Sequence, residues 1–433
     1  MRPSAGPLRA ERGRPKQRRA ATPVALAWGI AVALSSWSKG GSAQAVELDA
    51  RTTFFHEPAP GSTMTVYTPS ADLTARPWEA LSVSAGWEAD IVSGASERIK
   101  AGPLSRTTGA DVVTGASIKD VRHQFRGSAT VKHDETQLTA GGSTSNENDY
   151  RSRALHASLQ TDLFQHDTQI ELAYAHSWDS ICDVVHTANT DATLRRPLDT
   201  SIGCFEPNAA DRTEHPIRTD AFQVTWTQAF TPVFMTQLVF TGQLQNGFLS
   251  DPYRAVVLSA SGQFAQEHHP DNRAREAVAA RAAYYLRAIK GALRFGVRGY
   301  RDTWDVWSGT FELEAEKYLL PWLRLRGAGR YYRQSGALFW SDDYTGGEPA
   351  HGQRGQYWSG DRELSPFSSF LFGARVLGSW SAGDRRIGGV FQGLEAAAAF
   401  DVILYNYTDF TLSGRQPQDT KAYVGALSVT ALF

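Results

Sequence analysis

The C-terminal stretch constrains the fold more than any other. Lys421 to Phe433 reads KAYVGALSVTALF, with Tyr423, Gly425, Leu427, Val429, Ala431 and Phe433 on one face of an extended strand. Val424, Ala426, Ser428, Thr430 and Leu432 occupy the other, so one face is greasy and the other small and more polar. The pattern continues to an aromatic final residue, and such a strand cannot be left unpaired in water. Another strand must close against it.

This ending resembles the C-terminal strand of bacterial outer-membrane β-barrels. There a terminal Phe preceded by alternating apolar residues is recognised by the barrel-assembly machinery. The resemblance makes Tyr423, Leu427, Val429, Ala431 and Phe433 the expected assembly signal, and outer-membrane lipids and that machinery the expected partners. The other end of the chain reads as a targeting segment. Arg2, Arg9, Arg12, Arg14, Lys16, Arg18 and Arg19 precede an apolar run, Pro23 to Leu34, and Ala43-Gln44-Ala45 is a small-residue cleavage site before Val46. We therefore expect a signal peptide over residues 1 to 45 and one domain over residues 46 to 433.

Without the leader the chain keeps 36 basic and 44 acidic residues, a formal charge of -8, which argues against nucleic acid as a partner. It contains no apolar run of the ~18 residues that a membrane helix needs. A membrane location then requires a closed barrel, the other structure that satisfies every backbone group in lipid. The two cysteines, Cys182 and Cys204, suit one loop-closing disulfide in an exported protein.

Alternation along the chain predicts an all-β fold, a single closed antiparallel transmembrane barrel of about 16 strands, with 12 to 18 possible. Short turns alternate with long connections. The long ones are Ser93 to Ser117, Ser180 to His215, Asn246 to Asn272 and Ser341 to Pro366. That asymmetry is the one expected of short periplasmic turns and long outer loops. Trp322 to Trp340 reads as one strand. The Ala-rich stretches Arg273 to Arg287 and Gly393 to Phe400 also fit helix by propensity, but Val278, Ala280, Ala282, Tyr284 and Leu286 keep strand alternation.

The most specific chemical feature is a ladder of charge. With Leu293, Phe295 and Val297 toward lipid, Arg294, Arg298 and Tyr300 point inward. By the same parity Glu312, Glu314 and Glu316 face inward on the next strand, and Arg324, Arg326 and Arg330 on the one after. Strands lie ~4.8 Å apart, so a row of acids sits between two rows of arginines. Two readings stay open: mutual neutralisation that stiffens the wall, or a transverse field that selects solutes in a pore.

Other features are less specific. Trp78, Trp304, Trp307, Tyr318, Trp322, Trp340, Trp380, Tyr405 and Tyr407 fall near strand ends, as interfacial girdles do, with Trp304 and Trp307 also open to a stacking role. His186, His215, His268 and His269, with Asp342, Asp343, Glu348 and Asp361, read as solvated loop residues without metal-site spacing. His156, Ser158 and Asp162 share one strand, a spacing that does not assemble a triad. No Gly-rich phosphate loop or CxxC pair occurs, so no cofactor is expected.

The run from His269 to Tyr344 carries a more particular likeness. Pro270 to Arg273, Tyr300 to Trp304 and Arg330 to Ser335 are similar to motifs of the uncharacterised outer-membrane family catalogued as domain of unknown function 3570. Val92 to Ala95 with Val113 to Ser117 fits that family's first long loop. The resemblance implies the barrel and its location and no catalytic residue; the Cys182/Cys204 loop does not come from it. The resulting expectation is an outer-membrane barrel, porin-like, passing small solutes through a charged lumen. A non-conducting surface or scaffold barrel and a barrel hydrolase are the alternatives.

Overall fold

The computed structural model describes residues 45–59, 62–93, 113–114, 119–184, 205, 212–251, 254–257, 264–341, 357–382, 386–409 and 420–433. The expected leader, apart from Ala45, lies outside these residues, as do Cys204, His186, Asp342, Asp343 and Glu348.

Sixteen antiparallel strands close into one barrel. The wall begins with β1 (Ala45–Ala59), β2 (Ser62–Trp78) and β3 (Leu81–Ser93), and the loop that follows holds the two-residue strand β4 (Val113–Thr114). It continues through β5 (Lys119–His133), β6 (Thr136–Asn146), β7 (Tyr150–Leu163), β8 (Thr168–Val184), β9 (Arg212–Thr231) and β10 (Phe234–Gly247). Two short strands, β11 (Arg254–Val257) and β12 (Phe264–Gln266), belong to the next loop. The remaining staves are β13 (Asn272–Leu286), β14 (Gly291–Asp302), β15 (Trp307–Leu320), β16 (Leu323–Gln334), β17 (Phe367–Ser381), β18 (Gly393–Tyr407) and β19 (Thr420–Leu432).

Each stave pairs with its sequence neighbours in the wall, and β19 closes on β1 from Glu47 opposite Leu432 to His56 opposite Tyr423. Closure leaves the barrel wall without a sheet edge. Ala-rich β13 stays extended because β10 and β14 pair with it along nearly its whole length. Tertiary pairing here overrides the helix preference of Ala.

The side chains sort by parity. Leu293, Phe295, Val297, Phe311, Leu313, Leu427 and Val429 are exposed on the outer surface, the face a bilayer covers. Arg153, Trp178 and Arg218 stand side by side across β7, β8 and β9 near the long-loop end, all exposed. There the apolar band gives way to the polar interface. At the short-turn end Phe433 is buried with Val46, Leu48 and Ala431, and its ring lies 5.3 Å from that of Phe391. The amide of Phe433 donates to the Val46 carbonyl at 2.9 Å. Phe391 reaches it from a turn whose Gly388 and Gly389 adopt φ of 59° and 75°, a region that favours glycine.

Two expected boundaries move. β16 ends at Gln334 rather than Trp340, because Ser335 turns to bond the backbone of Trp307 and Ala337 that of Leu364. The long connection after β8 is also shorter than expected. His215 therefore lies on β9 rather than in a loop, its ring 4.3 Å from Phe248.

Candidate pore and its outer cap

The charge ladder forms in the register that the alternation implies. Arg294 lies opposite Glu314, Glu316 opposite Arg326, and Glu312 opposite Arg330. Glu316 is the hub, with its side chain only 8% exposed. It takes Arg326 at 2.8 Å, Arg294 at 3.4 Å and Arg324 at 3.7 Å. Glu314 receives Arg326 at 3.5 Å and Arg294 at 3.6 Å, and Arg324 also reaches Glu395 on β18 at 3.4 Å. This lower tier is a closed network.

The upper tier differs. Arg281 on β13, Arg298 on β14 and Arg330 on β16 form no ion pair among the described residues, and neither does Glu312 beside them. Arg281 donates to Gln237 at 3.4 Å, Arg298 sits 5.6 Å from the Tyr300 ring centroid, and the Arg330 Nε is buried without a partner. Across the lumen the wall carries acids: Asp72, Glu88 and Asp90 line β2 and β3. They engage Arg126 (2.5 Å from Asp72) and Arg122, which also reaches Glu147 at 3.8 Å.

At the long-loop end described parts of the connections pack together. Val256, Trp304, Val306, Ala337, Phe339, Trp340, Leu364 and Tyr407 make an apolar core there. β11 joins β12 and β4 in a three-stranded sheet that links two of the loops. The anchor is Asp302, whose carboxylate is fully buried. It accepts from Arg273 at 2.5 and 2.9 Å, from the Tyr300 hydroxyl at 2.7 Å, and from the Trp304 and Val306 amides at 3.0 Å. Gln334 donates to the carbonyls of Glu363 and Ser365 at 2.8 Å. A second tether reaches three staves along the wall: Arg362, just before β17, binds Glu57 at the end of β1 at 2.5 and 2.8 Å. Burial alone would lower the Arg362 pKa, but the hydrogen bond and charge of Glu57 raise it overall.

The cap changes several assignments. Trp304, Trp340 and Tyr407 are buried in it and Tyr405 packs against it, so these four are not girdle residues. Trp78, Trp307, Trp322 and Trp380 are exposed at strand ends as a girdle requires, whereas Tyr318 lies under Arg324, its ring centroid 5.5 Å from the guanidinium carbon. Trp304 does not present a free stacking face, because Arg273 lies over its ring at 4.0 Å. His269 is not solvated: it is buried beside Glu267, its Nδ1 3.0 Å from the Leu249 carbonyl. His268 bridges to Trp358. An apolar run, Ala337 to Trp340, placed just before an acidic loop was the available signal that the chain packs into a core after leaving the wall.

Among the described residues the cap leaves an opening. A cavity of about 750 Å³ separates His269, Trp304 and Leu364 on the cap from Arg122, Tyr150 and Ile217 on the facing wall. Further cavities follow below it. One of about 620 Å³ shares Arg275 with the mouth, one of about 610 Å³ shares Arg298 with that, and one of about 330 Å³ shares Arg281 and Glu312 with the last.

His156 and Ser158 line the second cavity with Glu171. Asp162 is at the short-turn end, bonded to Gln169 at 2.8 Å, six residues along an extended strand and so ~20 Å away. At the same end Glu135, Asp162 and His166 place their ligand atoms within 4.8 Å of one another. His166 lies 3.2 and 3.3 Å from the two carboxylates, the geometry of an exposed ion pair. Cys182 is completely buried and packs against Phe205.

A family model described as a protein of unknown function, DUF3570, matches residues 16–384. None of the curated proteins matches the chain. Among solved structures, a bacterial polysaccharide outer membrane secretin is similar at 9% identity and a TM-score of 0.47, over 90% of this chain and 98% of that one. OccK2 (OpdF) of Pseudomonas aeruginosa, in complex with glucuronate, is similar at 12% identity and 0.41, over 90% and 98%. A BenF-like porin from Pseudomonas fluorescens is similar at 9% identity and 0.41, over 90% and 99%.

Proposed function

The chain belongs to the DUF3570 family of proteins of unknown function, and from its barrel and lumen we propose that it is a porin-like channel of the bacterial outer membrane for small solutes. The observation that carries this reading is the string of cavities from the mouth down the arginine-bearing wall, successive ones sharing Arg275, Arg298 and Arg281. Charges lining such a path need water or a counter-ion. Barrels of 16 to 18 strands are wide enough to hold an aqueous passage. Arg294, Arg298, Glu312, Glu314, Glu316, Arg324, Arg326 and Arg330 are then pore-lining residues, and the paired lower tier shapes the field that a solute meets.

Residues 1 to 45 direct export and are then removed, and β19 is the segment that the assembly machinery reads. Its Leu427 and Val429 face lipid, and Phe433 seals the base. Cys182 and Cys204 pair, a proposal that the burial of Cys182 beside Phe205 supports. Denatured, unreduced protein should then offer no thiol to a maleimide reagent.

The folded cap favours one second reading, a surface barrel whose loops bind a partner and whose lumen stays shut. Swelling of liposomes that contain the refolded barrel separates the two. A channel admits small sugars and slows as their size grows; a shut barrel leaves swelling at the rate of empty liposomes.

A further inference from the structure

The lumen wall spends its carboxylates unevenly. Arg294, Arg324 and Arg326 are each held by Glu314, Glu316 or Glu395 within 4 Å. Arg281, Arg298 and Arg330, on the same wall and one tier higher, line the 610 Å³ chamber without such a partner. The difference is not for want of an acid nearby. Glu312 faces Arg330 in register and leans over Gly296 toward the stem of Arg281, yet pairs with neither. Glu363 also lines the chamber, and Arg362, its fourth guanidinium, is taken by Glu57.

Arg281 and Arg298 are exposed to the lumen, so they are accessible to whatever passes. Guanidinium groups bind planar oxyanions in a bidentate fork, and several left unpaired around one space repel each other until an anion arrives. Hydroxyl and amide groups complete the lining: Tyr332 donates to Gln334 at 2.6 Å, and Tyr405 faces them from β18. The volume suits a small molecule rather than a chain segment. Arg275 above and Arg294 below line the neighbouring cavities, so an anion leaving the chamber in either direction meets another guanidinium. Binding at several weak sites is what conduction requires.

We infer that this chamber is a binding site for small oxyanions, carboxylates or phosphates, and that the barrel passes them in preference to cations. The inference rests on the channel reading and names its solute class. The test uses the refolded barrel in planar bilayers and in detergent. Reversal potentials under a potassium chloride gradient report selectivity, and calorimetric titration with benzoate or inorganic phosphate reports the site. The protein should be anion-selective and should bind at least one of the two. R281Q, R298Q and R330Q should each weaken binding about tenfold, the loss expected for one charge-assisted contact, and the triple variant should lose selectivity. Response to benzoate alone identifies carboxylates as the class, and response to phosphate alone identifies phosphates. Conductance with cation preference, or binding that the triple variant leaves unchanged, overturns the inference and leaves the channel intact. Absence of conductance overturns the channel reading, and the titration then still decides whether the site exists. R298Q, made at an exposed side chain, guards against misfolding of the triple variant.

Discussion

Side chains of one chemical type do unequal work in this wall. Glu316 compensates three arginines from an 8% exposed position, whereas Glu312, on the same strand face, holds none. Glu316→Gln should therefore cost roughly 1–3 kcal/mol, because it takes the shared carboxylate from three part-exposed guanidinium groups. Glu312→Gln should stay within about 0.5 kcal/mol. Equilibrium unfolding of the two variants in lipid tests the contrast, and equal losses contradict it. Asp302 is the other heavily used carboxylate. Asp302→Ala should cost roughly 3–5 kcal/mol and open the cap, seen as faster hydrogen exchange at the Trp304, Val306 and Ala337 amides. The alternation that named Glu312, Glu314 and Glu316 showed that they face inward; it did not show which of them is saturated. That depends on side-chain reach across two neighbouring strands, which no single-strand pattern encodes.

Elements follow the same division between what is local and what is not. The hairpin partners of β14, β15 and β16 are set by short turns, so the cross-strand pairs Arg294 with Glu314 and Glu316 with Arg326 were legible from spacing alone. The Ala-rich stretch of β13 was legible for the same reason, since its alternation persists against its propensity. The cap was not. Ala337 to Trp340 alternates well enough to pass for the end of a strand, and Trp304 for a girdle residue. What removes both from the wall is a core assembled from separate loops and a tether, Glu57 to Arg362, that joins residues 305 positions apart. The closing strand makes the sharpest element-level prediction. Leu427 is exposed on the lipid face of β19, so Leu427→Arg should cost about 2–4 kcal/mol if the residue sits near the bilayer midplane. Ser428→Ala, on the lumen face, should leave stability unchanged by the same unfolding assay.

At the scale of the whole molecule the design is a closed wall, an arginine-rich side facing acids across the lumen, and a cap at the long-loop end. Apolar residues outside and charges inside place the low-dielectric medium around the barrel and water within it. Among the described residues an opening lies between the cap and β5 through β9, where Arg122 and Tyr150 face it across the mouth cavity. If the barrel conducts as proposed, a solute entering there moves next along Arg275 and Arg298. The wall's charge should then govern both what passes and how steeply passage depends on salt, since screening weakens the field at high ionic strength.

The most direct test is single-channel recording from the refolded barrel in a planar bilayer, repeated with Glu312, Glu314 and Glu316 all changed to Gln. Discrete conductance steps whose selectivity moves further toward anions in the variant are the result predicted. A barrel that is demonstrably folded and inserted yet passes no current, in either form, would contradict the account.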